Sequence, residues 1–313
     1  MTLTCNNKLI DVPGIAVGHK SLGDTGCTVI VAPDSAIAAV DVRGGGPGTR
    51  ETDLLAPHNT VQRVHAITLT GGSAYGLAAA DGVMTRLEQD RIGFRVLDTD
   101  ESPIVPIVPA AVIFDLLVGD PTHRPTRDDG YAAAHAALTG EPDTRSGSVG
   151  AGCGATAGRL RGGFGQASMQ VGEWIMAAGI VANPMGDVMN PDTGEFWADP
   201  RRKVAVDKLP AATPKLNTTI GVIATNAPIT KAQAKRLTMV AHDGIARAIH
   251  PAHSPLDGDT LFCLSTGDGT GVDLETMLSL STHAAEITAA AIVDAVVAAK
   301  PGFGLNTYFE LTR

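Results

Sequence analysis

The chain has 313 residues and a formal net charge of −9, with only 24 lysines and arginines. Because these basic residues form no run, the sequence offers no electrostatic footprint for nucleic acid or for anionic lipid. It is 44% hydrophobic but only 4% aromatic, with 36 glycines, so we expect closely packed sheets and helices rather than a solenoid or a disordered chain.

The first part of the chain predicts short strands and turns, followed by a helix. Residues 9–19 predict two strands around a Pro-Gly turn, and 27–33 with 36–45 have the spacing of a hairpin. A glycine turn leads into a helix at about 73–89. The proline-punctuated segment 104–117 favours an edge strand or a buried extended segment.

The second part alternates strands with longer helices. Glycine-dense residues 147–168 predict hairpins with close backbone approaches. The best linker candidate is 200–216, which is proline-rich and has little periodicity. Periodicity predicts the remaining elements, which are helices at 130–138, 230–249 and 274–300 and strands at 220–225 and 259–267; within 171–189 it predicts a strand that leads into a polar turn.

The cysteines and the apolar tracts indicate the compartment. Cys5, Cys27, Cys153 and Cys263 form no C-x-x-C pair, so we expect free thiols in a reducing environment rather than a zinc or redox motif. The N-terminus lacks the basic and apolar regions of a signal peptide. The longest apolar tract, 289–300, is too short to span a bilayer. We therefore expect a cytoplasmic protein with no membrane partner.

One glycine-rich motif formally matches a dinucleotide fingerprint. Gly150, Gly152 and Ala155 fit G-x-G-x-x-A, and Glu173 follows at about the distance of the ribose-binding acid. However, no buried strand precedes the motif, and later glycines prevent a helix after it. The sequence context therefore disfavours NAD binding.

Two further glycine-rich stretches have open interpretations. "GGSAYG" predicts a turn with Ser73 as N-cap, which leaves Tyr75 free to direct its hydroxyl into a site. "GGGPG" is flanked by charged residues and predicts either a tight turn with internal ion pairs or a loop that binds substrate or another subunit. The charged residues around it are Arg43, Arg50, Glu51 and Asp53.

His250 and His253 in "HPAH" form a possible metal pair close to Asp257 and Asp259. A metal site needs a third ligand on a rigid frame, so a metallohydrolase stays open as an alternative. Read plainly, "PLDGD" is a turn. Paired carboxylates beside a buried strand require a positive or hydrogen-bonding partner.

The strand at 220–225 begins oddly, after the small polar residues Asn217, Thr218 and Thr219. Such residues before a strand usually form a cap or turn. If the bond between Asn217 and Thr218 were cut, however, Thr218 would carry a free α-amine beside its own hydroxyl. An α-amine ordinarily has a pKa of about 7.7–8.0, so it can act as a base at neutral pH. One residue would then supply both base and nucleophile.

Several stretches in order along the chain resemble the DmpA-type L-aminopeptidase/D-Ala-esterase/amidase family, most closely its nylon-oligomer hydrolase branch. The resemblance runs from about Leu9 to the last helix and is carried by "IDVPGIAVGH", "GGGPGTRETDLL", "LTGGSAYGLAAADGVM", "VPIVPAAVIFDL", "GAGCGATAGRLRGG", "VANPMGD", "LNTTIGVIATNAP" and "AHDGIARAIHPAHSPLDGDTLF". It implies an α+β fold of the N-terminal-nucleophile hydrolase type, a four-layer αββα sandwich. It also implies a precursor that cleaves itself and a homo-oligomer, commonly a tetramer of αβ units.

By this resemblance, residues 1–313 form one self-processing domain, which splits at Asn217–Thr218 into an α chain (1–217) and a β chain (218–313). Thr218 is then the nucleophile, and its α-amine is the base. The resemblance implies that no metal or cofactor is required.

The resemblance also assigns the neighbours of the nucleophile. Asn183 matches an oxyanion donor, Tyr75 a hydroxyl near the same site, and Asp257 and Asp259 the acidic pair that orients nucleophile and amine. Arg161 stands where relatives usually have lysine. Because arginine cannot serve as a base, a proton-transfer role at that position is in doubt.

The function implied is hydrolysis of small linear peptides or 6-aminohexanoate oligomers through an acyl-enzyme. Two alternatives stay open on sequence alone. One is an acyltransferase of the ornithine-acetyltransferase type, which passes the acyl group to an amine. The other is a non-catalytic binding descendant, whose chain would never split.

Overall fold

The computed structural model describes residues 6–99, 101–211 and 216–312. Within them the strands are β1 (Ala16–Ser21), β2 (Gly26–Val42), β3 (Thr49–Arg50), β4 (Arg63–Thr70), β5 (Phe94–Arg95), β6 (Ile104–Val105), β7 (Ala110–Val112), β8 (Thr156–Ala157), β9 (Leu160–Arg161), β10 (Gly163–Val171), β11 (Trp174–Ala182), β12 (Ile220–Thr225) and β13 (Thr260–Ser265). The α-helices are α1 (Ala79–Gln89), α2 (Arg127–Thr139), α3 (Lys231–Ala248), α4 (Leu274–Val297) and α5 (Tyr308–Leu311).

Nine strands join into one mixed sheet. Its order is β10-β11-β12-β13-β2-β4-β7-β3, and β1 pairs with β2 off this path. The long strand β2 connects the two parts of this sheet, because β1 pairs with its first half and β13 pairs with its second half. β12 and β13 are parallel, whereas β11 and β12 are antiparallel.

Alternating side chains divide the interior into three apolar layers. Along β13, Leu261 and Cys263 face α3 and α4, whereas Phe262 and Leu264 face the opposite β layer. A third cluster lies between β1, β2 and β4 on one side and α1 and α2 on the other. Three apolar interfaces require four layers, so the αββα sandwich is confirmed.

Glycine allows the outer helix to lie close to the sheet. A Cβ at Gly165 of β10 would stand 2.0 Å from the carbonyl oxygen of Ala291 in α4, which no other residue type tolerates. This contact gives one physical reason for the high glycine content.

Most predicted elements are present, and three expectations are wrong. Residues 27–45 form no hairpin, because β2 runs straight through Pro33 with a register irregularity between Val31 and Ala36. The first strand predicted in 9–19 is a short 3-10 helix, Leu9–Asp11. Ser73 is not an N-cap: it has a positive φ and follows the capping residue Gly72.

Helix α4 is long and apolar enough to cross a membrane by length and composition, and it begins well before the apolar tract 289–300. However, 56% of its most apolar window is buried inside the protein, and core helices of soluble proteins meet the same criterion. Cys27, Cys153 and Cys263 are buried free thiols as predicted; Cys5 lies outside the described residues.

Candidate active site

The parallel pairing of β12 and β13 continues backwards beyond both strands. Asn217 bridges Asp257 in parallel register, its N–H donates to the carbonyl oxygen of Leu256 at 3.2 Å, and the N–H of Gly258 donates to the carbonyl oxygen of Asn217 at 3.2 Å. Two segments that are about 40 residues apart in sequence therefore lie side by side, as parallel neighbours must.

Thr218 is buried at the head of β12, with 4% of its surface exposed. Its N–H donates to the backbone carbonyl oxygen of Asn183 at 2.7 Å. Its hydroxyl donates to the carbonyl oxygen of Asn217, the residue directly before it. That oxygen thus accepts from two donors, the Thr218 hydroxyl and the Gly258 N–H.

The side chain of Asn217 is enclosed by acceptors. Its Nδ2 donates to the carbonyl oxygens of Pro184 (2.9 Å) and Thr156 (3.1 Å), and lies 3.3 Å from the Thr156 hydroxyl oxygen. Asn217 is 3% exposed and Thr156 is 5% exposed. The residue before the predicted cleavage point is therefore held at both its backbone and its side chain.

Asn183 lies beside Thr218 because β11 and β12 are antiparallel, so that the end of one meets the start of the other. Its side-chain Oδ1 accepts the N–H of Thr156 at 2.7 Å, and its Nδ2 donates to the carbonyl oxygen of Phe114 at 3.1 Å. The amide nitrogen has a second hydrogen. The oxyanion role of this side chain stays a prediction. The contact of Asn183 with Thr218 in the structure is through its backbone carbonyl oxygen, which accepts the Thr218 N–H.

Asp257 and Asp259 both lie beside residues 217–219, and each is 1% exposed. Asp257 accepts hydrogen bonds from the backbone N–H groups of Met185 and Ser254, each at 3.0 Å, and from the Ser254 hydroxyl at 2.6 Å. Burial raises the pKa of Asp257, and the nearby charge of Asp259 adds to the shift.

Asp259 connects Thr219, just before β12, to a histidine. Its Oδ1 accepts the N–H of Thr219 at 2.7 Å, and its Oδ2 accepts from the backbone and ring nitrogens of His253 at 3.2 and 2.8 Å. From sequence, His253 is one half of a possible metal pair with His250. Instead, His250 packs against the ring of Trp197, with centroids 4.4 Å apart, and the described residues contain no group of three or more potential ligands.

The glycine loop before β3 supports this acidic turn, a role that the sequence left open. The N–H groups of Arg43 and Gly44 donate to the carbonyl oxygen of Asp259, and the N–H of Gly46 donates to the backbone carbonyl oxygen of Asp257. A Cβ at Gly44 would lie 2.3 Å from the nitrogen of Asp259. The glycine run itself was the signal, since close backbone approach requires it.

Tyr75 is not joined to these residues by any hydrogen bond described in the structure. It is 62% exposed, with the guanidinium of Arg124 stacked 3.8 Å from its ring centre. Its segment reaches the site indirectly: Gly72 donates to Asp115, the residue after Phe114.

Arg161 is buried, and its guanidinium donates to the carbonyl oxygens of Lys300 at 2.6 Å and Cys153 at 2.7 Å. These contacts anchor the chain around β9, whose partner strand β8 contains Thr156. Arg161 thus supports the site's frame from a distance.

A cavity of about 190 Å³ lies near the site, with Thr156, Arg159, Leu160 and Leu305 among its lining residues. Thr156 is a wall of this cavity and also a partner of Asn217. Among the described residues, Thr156 is therefore the one shared by this cavity's lining and the contacts of the Asn217 side chain.

Comparison with known proteins identifies relatives over nearly the whole chain. The model of peptidase family S58 matches residues 7–308. An uncharacterised aminopeptidase of Mycobacterium tuberculosis is 44% identical, over 97% of this chain and 98% of the relative. A 6-aminohexanoate-oligomer endohydrolase of Kocuria sp. is 32% identical, over 90% of this chain and 80% of the relative.

Solved structures share the fold. A beta-aminopeptidase of Burkholderia sp. superposes with a TM-score of 0.74 at 24% identity, covering 98% of this chain and 92% of the other. The L-aminopeptidase D-Ala-esterase/amidase of Ochrobactrum anthropi, described as a variant of the Ntn hydrolase fold, superposes with a TM-score of 0.73 at 20% identity, covering 96% of this chain and 89% of the other. The α+β fold is therefore that of the Ntn hydrolase variant.

Proposed function

Since the chain belongs to peptidase family S58, a family of peptide and linear amide hydrolases, we propose that it matures by cutting itself between Asn217 and Thr218 and that Thr218 is its nucleophile. The observation that carries the proposal is the contact of the Thr218 hydroxyl with the carbonyl oxygen of Asn217. A buried hydroxyl therefore lies beside the carbonyl group whose carbon it would attack.

The self-cleavage step uses these atoms directly. Oγ of Thr218 bonds to the carbonyl carbon of Asn217, the C–N bond breaks, and the hydroxyl proton moves to the departing nitrogen, which leaves an ester. The N–H of Gly258 supports the charge that develops on the carbonyl oxygen. Water then hydrolyses the ester, giving a carboxylate at Asn217 and restoring the Thr218 hydroxyl beside a free amine.

Turnover repeats this chemistry on an external amide. An α-amine ordinarily has a pKa of about 7.7–8.0, which suits a base at neutral pH. The free amine takes the hydroxyl proton as Oγ attacks the substrate carbonyl. The nitrogen of Thr218 already faces the carbonyl oxygen of Asn183, which would orient the amine. The leaving amine departs protonated, and water releases the acyl group from Oγ.

The carboxylates fix the geometry in this proposal. Asp259 holds Thr219, and so the position of the nucleophile, whereas Asp257 holds the turn that includes Gly258. Neither carboxylate hydrogen-bonds the Thr218 hydroxyl in the uncut chain described. We therefore assign both as positioning residues.

The names of the relatives support a proposal for the substrate class. The curated names are aminopeptidase at 44% identity and 6-aminohexanoate-oligomer endohydrolase at 32%, so we propose short peptides or linear aliphatic amides. We further propose a cytoplasmic oligomer of αβ units. Transfer of the acyl group to an amine rather than water is tested by adding an acceptor amine during hydrolysis.

The proposal is tested on the purified protein by denaturing electrophoresis and N-terminal sequencing. We expect two fragments, 1–217 and 218–313, the smaller of which begins Thr-Thr-Ile-Gly. A single intact chain in active protein would refute the mechanism.

A further inference from the structure

We propose that the pocket that holds the Asn217 side chain in the uncut protein is the acyl subsite of the mature enzyme, and that it selects an acyl residue with an N–H donor at that place, L-asparaginyl above all. This inference rests on the proposed function and adds to it a substrate class.

The chemistry makes Asn217 an internal substrate. The same Oγ attacks the Asn217 carbonyl during maturation and the substrate carbonyl during turnover. Its reach and the Gly258 N–H fix where an attacked carbonyl lies. The acyl side of a substrate, placed by the same two groups, extends into the space that Asn217 leaves when the cut chain end withdraws.

That space contains acceptors around one nitrogen. Two are backbone carbonyl oxygens, of Pro184 and Thr156, and the third is the Thr156 hydroxyl oxygen. The hydroxyl can turn to donate, but the carbonyls cannot. A leucyl side chain, close in shape to asparagine, leaves both carbonyls unpaired, and an aspartyl carboxylate places negative charge against them.

Backbone contacts add a second criterion. The N–H of Asn217 donates to the Leu256 carbonyl oxygen, and the α-amine of an L-aminoacyl amide has the same position and can make the same bond. L-Asparaginyl therefore satisfies both contacts.

A second donor chemistry also fits by length. A 4-aminobutanoyl group has its nitrogen as many bonds from its carbonyl carbon as asparagine does, although it is an ammonium. Carbonyl oxygens do hold an ammonium elsewhere in this protein, where Nζ of Lys231 contacts those of Leu54, Asn59 and Val61 at 2.7–3.3 Å. A 6-aminohexanoyl chain carries its nitrogen beyond this point.

The first experiment compares kcat/KM of the processed enzyme on amides that share one leaving amine. We expect asparaginyl to exceed leucyl by at least about tenfold, the cost of unpaired acceptors, with aspartyl below leucyl. A 4-aminobutanoyl amide separates the two donor chemistries: hydrolysis at or below the leucyl rate shows that the neutral carboxamide is selected, and a rate near asparaginyl shows that any N–H donor suffices. Either result supports an N–H subsite provided that asparaginyl exceeds leucyl.

Two outcomes would separate this inference from its premise. If kcat/KM of the processed enzyme is equal for leucyl and asparaginyl amides, the subsite is refuted and the hydrolase proposal stands. If the chain is cut but hydrolyses no amide, the amide-hydrolase part of the proposed function is refuted, and the subsite inference that rests on it is refuted with it.

The second experiment uses maturation itself. Asn217→Leu and Asn217→Asp precursors should process in the same rank order as the substrates, Asn before Leu before Asp. Processing of Asn217→Asp at the native rate would overturn the inference.

Thr156→Val removes one acceptor with little change in volume, and we expect it to reduce the ratio of kcat/KM for asparaginyl to that for leucyl amides at least about twofold. An unchanged ratio would count against the subsite even if total activity falls.

Discussion

The ring nitrogen Nδ1 of His253 lies 2.8 Å from Oδ2 of Asp259, and the other oxygen of that carboxylate accepts the N–H of Thr219 at 2.7 Å. A continuous set of hydrogen bonds therefore joins this histidine to the residue after the proposed nucleophile. Since Asp259 is buried, the orientation of its carboxylate depends on these donors. The carboxylate in turn holds the N–H of Thr219 and so affects the position of Thr218.

We expect His253→Ala to slow self-cleavage about tenfold or more, because a buried carboxylate oxygen loses its ring donor. His253→Asn, which retains an N–H donor, should recover part of the rate. Processing is followed by the ratio of intact chain to fragments against time after expression. The matched control is His58→Ala at an exposed histidine, which should process normally. Equal rates for all three variants would remove His253 from the site.

Thr218→Ala should fold, stay uncut and show no amidase activity, because it removes the attacking oxygen and little volume. Thr218→Ser keeps that oxygen and should still be cut between 217 and 218. Intact mass and N-terminal sequencing distinguish the two variants. Cleavage after Asn217 in the alanine variant would mean that another group performs the attack.

The sequence predicted those parts of the site that depend on local pattern or on family resemblance. The strand at 220–225 matches β12. Asp257 and Asp259 contact the residues on either side of Thr218, which are Asn217 and Thr219. The role of His253 was missed because its ring meets Asp259 only through the fold of a turn, where His253 takes a positive φ. Spacing alone suggested a metal ligand instead.

The errors in secondary structure have the same origin. Pro33 and Asp34 look like a turn, yet β2 continues beyond them because it pairs with β4 on both sides of the irregularity and with both β1 and β13. Tertiary pairing outweighs local turn preference there. Likewise, the glycine run at 44–46 indicates a close backbone approach but not which segment it approaches, since that partner, the turn at 257–259, is distant in sequence.

His65 should make the protein less stable as the pH falls. Burial lowers the pKa of His65 from 6.5 to about 4, and its Nδ1 accepts the N–H of Ile107 at 3.1 Å. Because the unfolded chain takes up the proton first, this contribution is complete above pH 6.5 and is lost as the pH falls towards 4.

We expect the stability of the native sequence, relative to His65→Asn, to fall by about 2 kcal/mol between pH 7 and pH 5. Asparagine keeps an acceptor and does not titrate. Urea unfolding in the uncut Thr218→Ala background gives both values. His58→Asn, at an exposed histidine, should show a much smaller difference, and a similar pH dependence in both comparisons would contradict the assignment.

Gly258→Ala should impair self-cleavage far more than it impairs folding. A Cβ there would lie 2.8 Å from the hydroxyl oxygen of Thr218 and 2.7 Å from the carbonyl oxygen of Gly46, so it would displace both the nucleophile and the N–H that faces the Asn217 carbonyl. Loss of one such donor typically costs about 100-fold or more in rate, and we expect at least about tenfold here because the N–H is shifted rather than removed. Gly46→Ala is the control in the same contact, since the nearest atoms to its Cβ are 3.9 Å away; it should process at nearly the native rate. The two variants are compared by fragment formation over time and by thermal unfolding. If Gly258→Ala processes as fast as Gly46→Ala, the Gly258 N–H does not support the carbonyl during attack.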